Sequence, residues 1–121
     1  MSIKSFQDLD VWRKANTVVL RIYRLTDSFP KDQRFGLISQ MQRSAVSICA
    51  NIAEGQKKGT KEYARFVDIA EGSLEETKYY LILAKDLGYC CPDEYKDLFE
   101  LTNEIGRMLH SLGTNLKANI P

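Results

Sequence analysis

Three breaks decide what this chain can fold into. Phe29-Pro30, Gly55-Gln56-Lys57-Lys58-Gly59-Thr60 and Gly88-Tyr89-Cys90-Cys91-Pro92 gather its strongest turn-forming residues. Between them lie four long stretches, and none alternates apolar with polar as a half-buried strand must. Apolar residues recur instead at steps of three and four. At 1.5 Å of rise per residue, a stretch of ~25 residues is a rod of about 37 Å. Four such rods joined by short connections predict an all-α fold, an up-down-up-down antiparallel four-helix bundle. The 121 residues suit one domain, 1–121, able to hold a core without disulfides or metal.

The first helix is expected over about Leu9 to Ser28 and carries two apolar stripes. One contains Leu9, Trp12, Asn16, Val19 and Tyr23; the other contains Val11, Ala15, Val18, Ile22 and Leu25, with Leu20 widening the apolar side. A helix in a lone bundle needs one apolar face of roughly 100°. Two readings stand: a deeply buried helix in a monomer, or a second buried interface formed by Val11, Val18, Ile22 and Leu25 in a homo-oligomer. The second helix, about Lys31 to Glu54, has an inward stripe of Ile38, Met41, Ala45, Ile48 and Ile52. Its opposite face reads Gln40, Arg43, Ser44, Ser47, Asn51, Glu54. Short hydroxyl and amide side chains are poor helix formers, so their presence points to close helix packing or to a polar ligand surface.

The third helix is expected after Thr60 as N-cap, with Tyr63, Phe66, Val67, Ala70, Leu74, Thr77, Leu81 and Ala84 inward. Ile69, Tyr80, Leu83 and Leu87 make a second stripe. Gly72-Ser73 would let a neighbouring backbone approach, and Gly88 suits the helix end. The fourth helix starts at Pro92, a favoured first position, and repeats Tyr95, Leu98, Thr102, Ile105, Leu109, Leu112 and Leu116, with residues 117–121 as a fraying tail.

The sequence offers no catalytic or metal constellation. His110 is the one histidine, with Arg107 three residues before it, so the Glu-x-x-His pairs of di-iron bundles are absent. Cys49, Cys90 and Cys91 lack zinc spacing and read as free thiols. There is no phosphate-binding glycine loop and no nucleophile elbow. Cofactors, metal and enzymatic activity are therefore not expected. No run approaches the ~20 apolar residues that span a bilayer, and Met1-Ser2-Ile3-Lys4-Ser5-Phe6 has no signal-peptide core, so a cytoplasmic chain is expected.

Charge placement says more than the net charge of +1. Residues 1–62 balance to +5 and residues 63–121 to −4. Arg13, Lys14, Arg21 and Arg24 share an arc of the first helix, and Lys57, Lys58 and Lys61 cluster at the second connection. Such groups suit phosphates, since counterion release drives sequence-independent binding to RNA or DNA. They equally suit the acidic half of the same or a neighbouring subunit.

Several motifs together resemble a bacterial family of four-helix-bundle proteins encoded by intervening sequences in 23S ribosomal RNA genes. They are Phe6-Gln7-Asp8-Leu9-Asp10-Val11-Trp12, Tyr23-Arg24-Leu25-Thr26 with Phe29-Pro30, Phe35-Gly36-Leu37, Arg43-Ser44-Ala45-Val46-Ser47-Ile48 through Asn51-Ile52-Ala53-Glu54-Gly55, Ile69-Ala70-Glu71-Gly72-Ser73-Leu74-Glu75-Glu76 and Leu87-Gly88-Tyr89. Cys49 stands where the family usually has Pro, which predicts a straighter second helix, and Gln42-Arg43 stands where it often has paired arginines. The resemblance implies a ring, commonly a homopentamer, with no enzymatic activity. It also implies kinship with accessory proteins that serve a reverse transcriptase in diversity-generating retroelements through basic surfaces that contact nucleic acid. It gives Arg43, Ser47, Asn51 and Glu54 a structural or interface role. The function expected is a non-enzymatic oligomeric binding scaffold contacting RNA or DNA, with a protein–protein adaptor as the alternative.

Overall fold

The N-terminal turn sets where the first long helix begins. In the computed structural model, which describes residues 3–121, Phe6–Asp8 makes one 3-10 turn closed by a reciprocal cap. Ser5 Oγ accepts the Gln7 N–H (3.1 Å) and Asp8 Oδ2 accepts the Ser5 N–H (3.2 Å). Phe6 then meets Trp12 edge to face at 5.0 Å. Met1 and Ser2, part of the stretch read as lacking a signal-peptide core, lie outside the described residues.

Helix α1 covers Asp10–Thr26, α2 Ser39–Gln56, α3 Thr60–Asp86 and α4 Pro92–Ala118. The second helix starts later than its pattern predicts. Lys31–Gln33 is a 3-10 turn and Arg34–Ile38 a π turn, in which Gly36 sits at φ −111°, ψ −109°, outside helical space. A chain bent there cannot continue one α-helical ladder from Lys31. From Ser39 onward α2 runs unbroken past Cys49, as expected where proline is missing.

The later helix ends follow local chemistry. Gly59, with ψ 166°, occupies the cap position of α3, so the helix begins at Thr60, one residue earlier than an N-cap at Thr60 predicts. Gly88 ends α3 at φ +79°, with Gly88 N–H bonded to Lys85 O (3.0 Å) and Tyr89 N–H to Ala84 O (2.9 Å). These two bonds satisfy carbonyls that a helix end would otherwise leave open, and the left-handed backbone suits glycine. Pro92 opens α4. Ala118 is still helical, so α4 reaches into the segment expected to fray.

Each of α1 and α3 packs on both α2 and α4. Side chains fix the register: Thr26 with Gln42, Ser44 with Thr77, Ser47 with Ser73, Asp68 with Lys117, Lys14 with Glu104 and Arg21 with Glu94. Where two such contacts join the same helices, α2 with α3 and α1 with α4, the numbers rise on one as they fall on the other. The core between them holds Val18, Ile22, Met41, Ile48, Ile52, Val67, Leu74, Leu81, Leu98, Ile105 and Leu109.

Two expectations need correction here. Val11, Val18 and Ile22, assigned to an oligomer interface, are buried within the single chain together with Ala15, and Leu25 is half-buried against the same core. Both stripes of α1 are apolar, and this is the one its own bundle encloses. The surplus apolar surface of α1 is therefore the other arc, where Leu20 is 49% and Tyr23 45% exposed. The second correction concerns glycine. A Cβ on Gly72 would meet nothing within 4 Å, whereas one on Gly55 would stand 2.7 Å from Phe66 Cβ. Of Gly72-Ser73 it is Ser73 that meets α2, at Ser47 (2.8 Å), while the approach that needs a glycine is at Gly55.

Candidate nucleic-acid interface

The basic residues of α1 separate by what faces them. Arg13 is held by the N-terminal turn: its Nε donates to Gln7 O (2.9 Å), and its guanidinium pairs with Asp10 at 3.3 Å and Asp8 at 4.0 Å. Lys14 meets Glu104 at 3.1 Å and Arg21 meets Glu94 at 3.2 Å, both across to α4. Arg24 is exposed and forms no ion pair among the described residues. The acidic half of the chain thus neutralises much of the basic arc in place.

Lys57, Lys58 and Lys61 differ. All three are exposed in or beside the turn between α2 and α3, and none forms an ion pair among the described residues. Their field is felt nearby. The Glu62 carboxyl is held below the usual carboxylate range, first by the hydrogen bond and charge of Arg65, then by Lys58 and Lys61. The turn therefore presents three positive charges close together, without the carboxylate partners that Lys14 and Arg21 have.

The polar face of α2 is a packing surface. Ser44 is buried and accepts from Thr77 Oγ1 at 2.8 Å; Ser47 and Ser73 hydroxyls share a bond of 2.8 Å. Asn51 Nδ2 donates to Ser47 O (2.8 Å) and Ser47 Oγ (3.0 Å). Small side chains let α2 and α3 approach, and paired hydroxyls keep the buried polar atoms satisfied. Arg43 and Glu54, at the margin of this stripe, are exposed. Beyond it, towards α1, Val46 (42% exposed) and Ala50 join Tyr23, Arg43 and Gln42 around a surface groove of ≈480 Å³.

No group of histidine, cysteine and carboxylates able to hold a metal ion occurs among the described residues. His110 is exposed beside Arg107 and Glu71 in a shallow cleft between α3 and α4. Cys49 is buried, and burial pushes its thiol up to about 12; burial also raises Cys90, so both stay protonated near neutral pH. No described helix is long and apolar enough to cross a membrane.

Sequence reasoning passed over Phe35, quoted above only within a motif. Its side chain is 91% exposed, flanked by exposed Arg34. No periodicity marks it, because it sits in the π turn outside any regular helix; the nearby Gly36 was the available signal.

The family pattern for 23S rRNA-intervening sequence proteins matches residues 7–111. The chain belongs to that family. Among solved structures it is similar to a protein of unknown function from the S23 ribosomal protein family of Bacteroides thetaiotaomicron VPI-5482. The two share 29% identity over 84% of this chain and 96% of that one, with a TM-score of 0.77. No curated protein matches. The family match begins within the N-terminal turn, at Gln7, and spans all of α1, α2 and α3 and most of α4.

Proposed function

We propose that this protein is a non-enzymatic scaffold of the cytoplasm: an up-down-up-down antiparallel bundle whose copies close into a ring, commonly a pentamer, and contact RNA or DNA at a lysine-rich end. The carrying observation is the contrast between two basic groups. Lys14 and Arg21 are matched by Glu104 and Glu94, whereas Lys57, Lys58 and Lys61 are exposed without an acidic partner. Exposed cations at one turn with no carboxylate in ion-pair contact are what a phosphate backbone exploits. Assembly rests on the apolar surface left on α1 and α2, with Leu20, Tyr23 and Val46 exposed. Those same side chains also favour the second reading, an adaptor that docks another protein.

Two measurements test the proposal. Purified protein is expected to sediment well above the 13.8 kDa of one chain; a monomer at micromolar concentration overturns the ring. A gel-shift titration is expected to show binding that weakens with salt and falls when Lys57 and Lys58 become Ala. If no nucleic acid binds even at low salt, the adaptor reading takes its place.

A further inference from the structure

The bend between α1 and α2 builds a pocket at the end of α2 opposite Lys57 and Lys58. It is an open surface hollow of ≈450 Å³. Phe29 and Ile38 line it, and Phe29 is itself fixed in the core against Tyr89 at 5.4 Å. Phe35 forms one wall and is 91% exposed. Lys31 and Arg34 stand at the rim with a single carboxylate, Asp27. Gln42 lines it too, its amide nitrogen bonded to Thr26 Oγ1 at 3.1 Å and its carbonyl oxygen without a hydrogen bond among the described residues.

We propose that this pocket holds one unpaired nucleotide of a single-stranded nucleic acid. The inference rests on the reading above, that the protein meets nucleic acid, and adds a specific subsite to it. A nearly bare phenylalanine face is a stacking platform that every base can use, because every base has a π-face. The Lys31 and Arg34 side chains meet the flanking phosphates, and Arg24 adds a further exposed cation on the last turn of α1. The free Gln42 oxygen and Asp27 accept from exocyclic amino groups. Internal base pairs of a duplex are stacked on one another and present no face to Phe35.

Fluorescence anisotropy with a short labelled single-stranded RNA, beside the same strand annealed to its complement, tests the subsite. Phe35→Ala is expected to weaken single-strand binding roughly tenfold, the loss typical of one base–aromatic stack. Phe35→Trp is expected to retain it, and duplex binding is expected to be indifferent to both. Sedimentation of each variant is read alongside, and Phe35 is too exposed for its truncation to unfold the chain. Unchanged single-strand binding by Phe35→Ala, with Lys57→Ala/Lys58→Ala still impaired, overturns the pocket and leaves the lysine turn standing. Loss of assembly in Phe35→Ala shows that a second copy covers the ring and also overturns it. Failure of the native protein to bind any nucleic acid removes both proposals together.

Discussion

At the scale of single residues, two glycines in similar helical contexts carry opposite meanings. Gly55 is buried, and a Cβ there would lie 2.7 Å from Phe66 Cβ and 3.1 Å from Tyr63 Cδ1. Gly55→Ala must push α2 and α3 apart, and a loss of ~1–3 kcal/mol in denaturant unfolding is expected. Gly72 is exposed within α3 with open space around it. Gly72→Ala is expected to stabilise by ~0.5–1 kcal/mol, since only backbone entropy and helix propensity change. Equal effects at the two sites would contradict the packing described. The thiols give a third residue-scale test. Cys91 is exposed while Cys49 and Cys90 are buried, so a thiol reagent at neutral pH should modify Cys91 rapidly and the others only on unfolding. Burial raises the Cys49 thiol to about 12, so the folded chain holds a proton that the unfolded chain releases near its ordinary value of about 8.5. That contribution is complete below about pH 8.5 and is lost as pH rises towards about 12. Cys49→Ala should therefore flatten the alkaline decline in stability, whatever it costs at neutral pH.

At the scale of helices, legibility in the sequence tracked how unambiguous each face was. The inward stripe of α4 was readable from the regular steps of Leu98, Ile105 and Leu109, and that of α3 from the longer run of Val67, Leu74 and Leu81, although α3 also carries the exposed Ile69 and Leu87 on its other side. On α1 both stripes are apolar, so periodicity alone did not decide whether Val18 or Val19 faced the core; packing against α2 and α4 did. The bend at Gly36 was missed because the rest of Lys31–Ile38 has a helical composition, and the glycine was the one residue that pointed to it. The polar face of α2 was visible, but its partner was not, because hydroxyl pairs across two helices leave no trace in either sequence alone. Thr77→Val tests that seam. It keeps the shape and removes the hydroxyl that bonds Ser44 Oγ at 2.8 Å and Ser73 O at 2.9 Å. A loss of ~1 kcal/mol is expected in thermal or denaturant unfolding. Combined with Ser44→Ala, the loss should fall short of the sum of the two single losses, since one bond is then counted twice. Full additivity would mean that the two hydroxyls do not interact.

At the scale of the whole molecule, charge segregation along the chain becomes charge pairing in space. The basic first half and acidic second half face one another where α1 lies against α4, which is why Lys14 and Arg21 find Glu104 and Glu94. Solvent-accessible pairs of this kind contribute little to stability, typically under ~1 kcal/mol. Their consequence is electrostatic: they remove cations from the surface offered to a polyanion. The turn at Lys57, Lys58 and Lys61 escapes because α3 begins there with Glu62 already engaged by Arg65 at 3.0 Å. The two ends of α2 are separated by 18 residues, so the lysine turn and the Phe35 pocket lie about 27 Å apart along the helix. Sites so far apart contribute independently to one bound strand. The salt dependence of binding can then be apportioned. Each lysine that meets a phosphate adds roughly 0.7 to 0.9 to the slope of log affinity against log salt. Lys57→Ala, Lys58→Ala and Lys61→Ala together should lower that slope by about 2, while Lys14→Ala should leave it nearly unchanged because Glu104 already holds that charge. Phe35→Ala should shift the whole line to weaker binding at constant slope, since stacking releases no counterions. A slope that falls for Lys14→Ala as much as for Lys57→Ala would show that the pairs to α4 open when nucleic acid arrives, and that the whole basic arc of α1 is the binding surface.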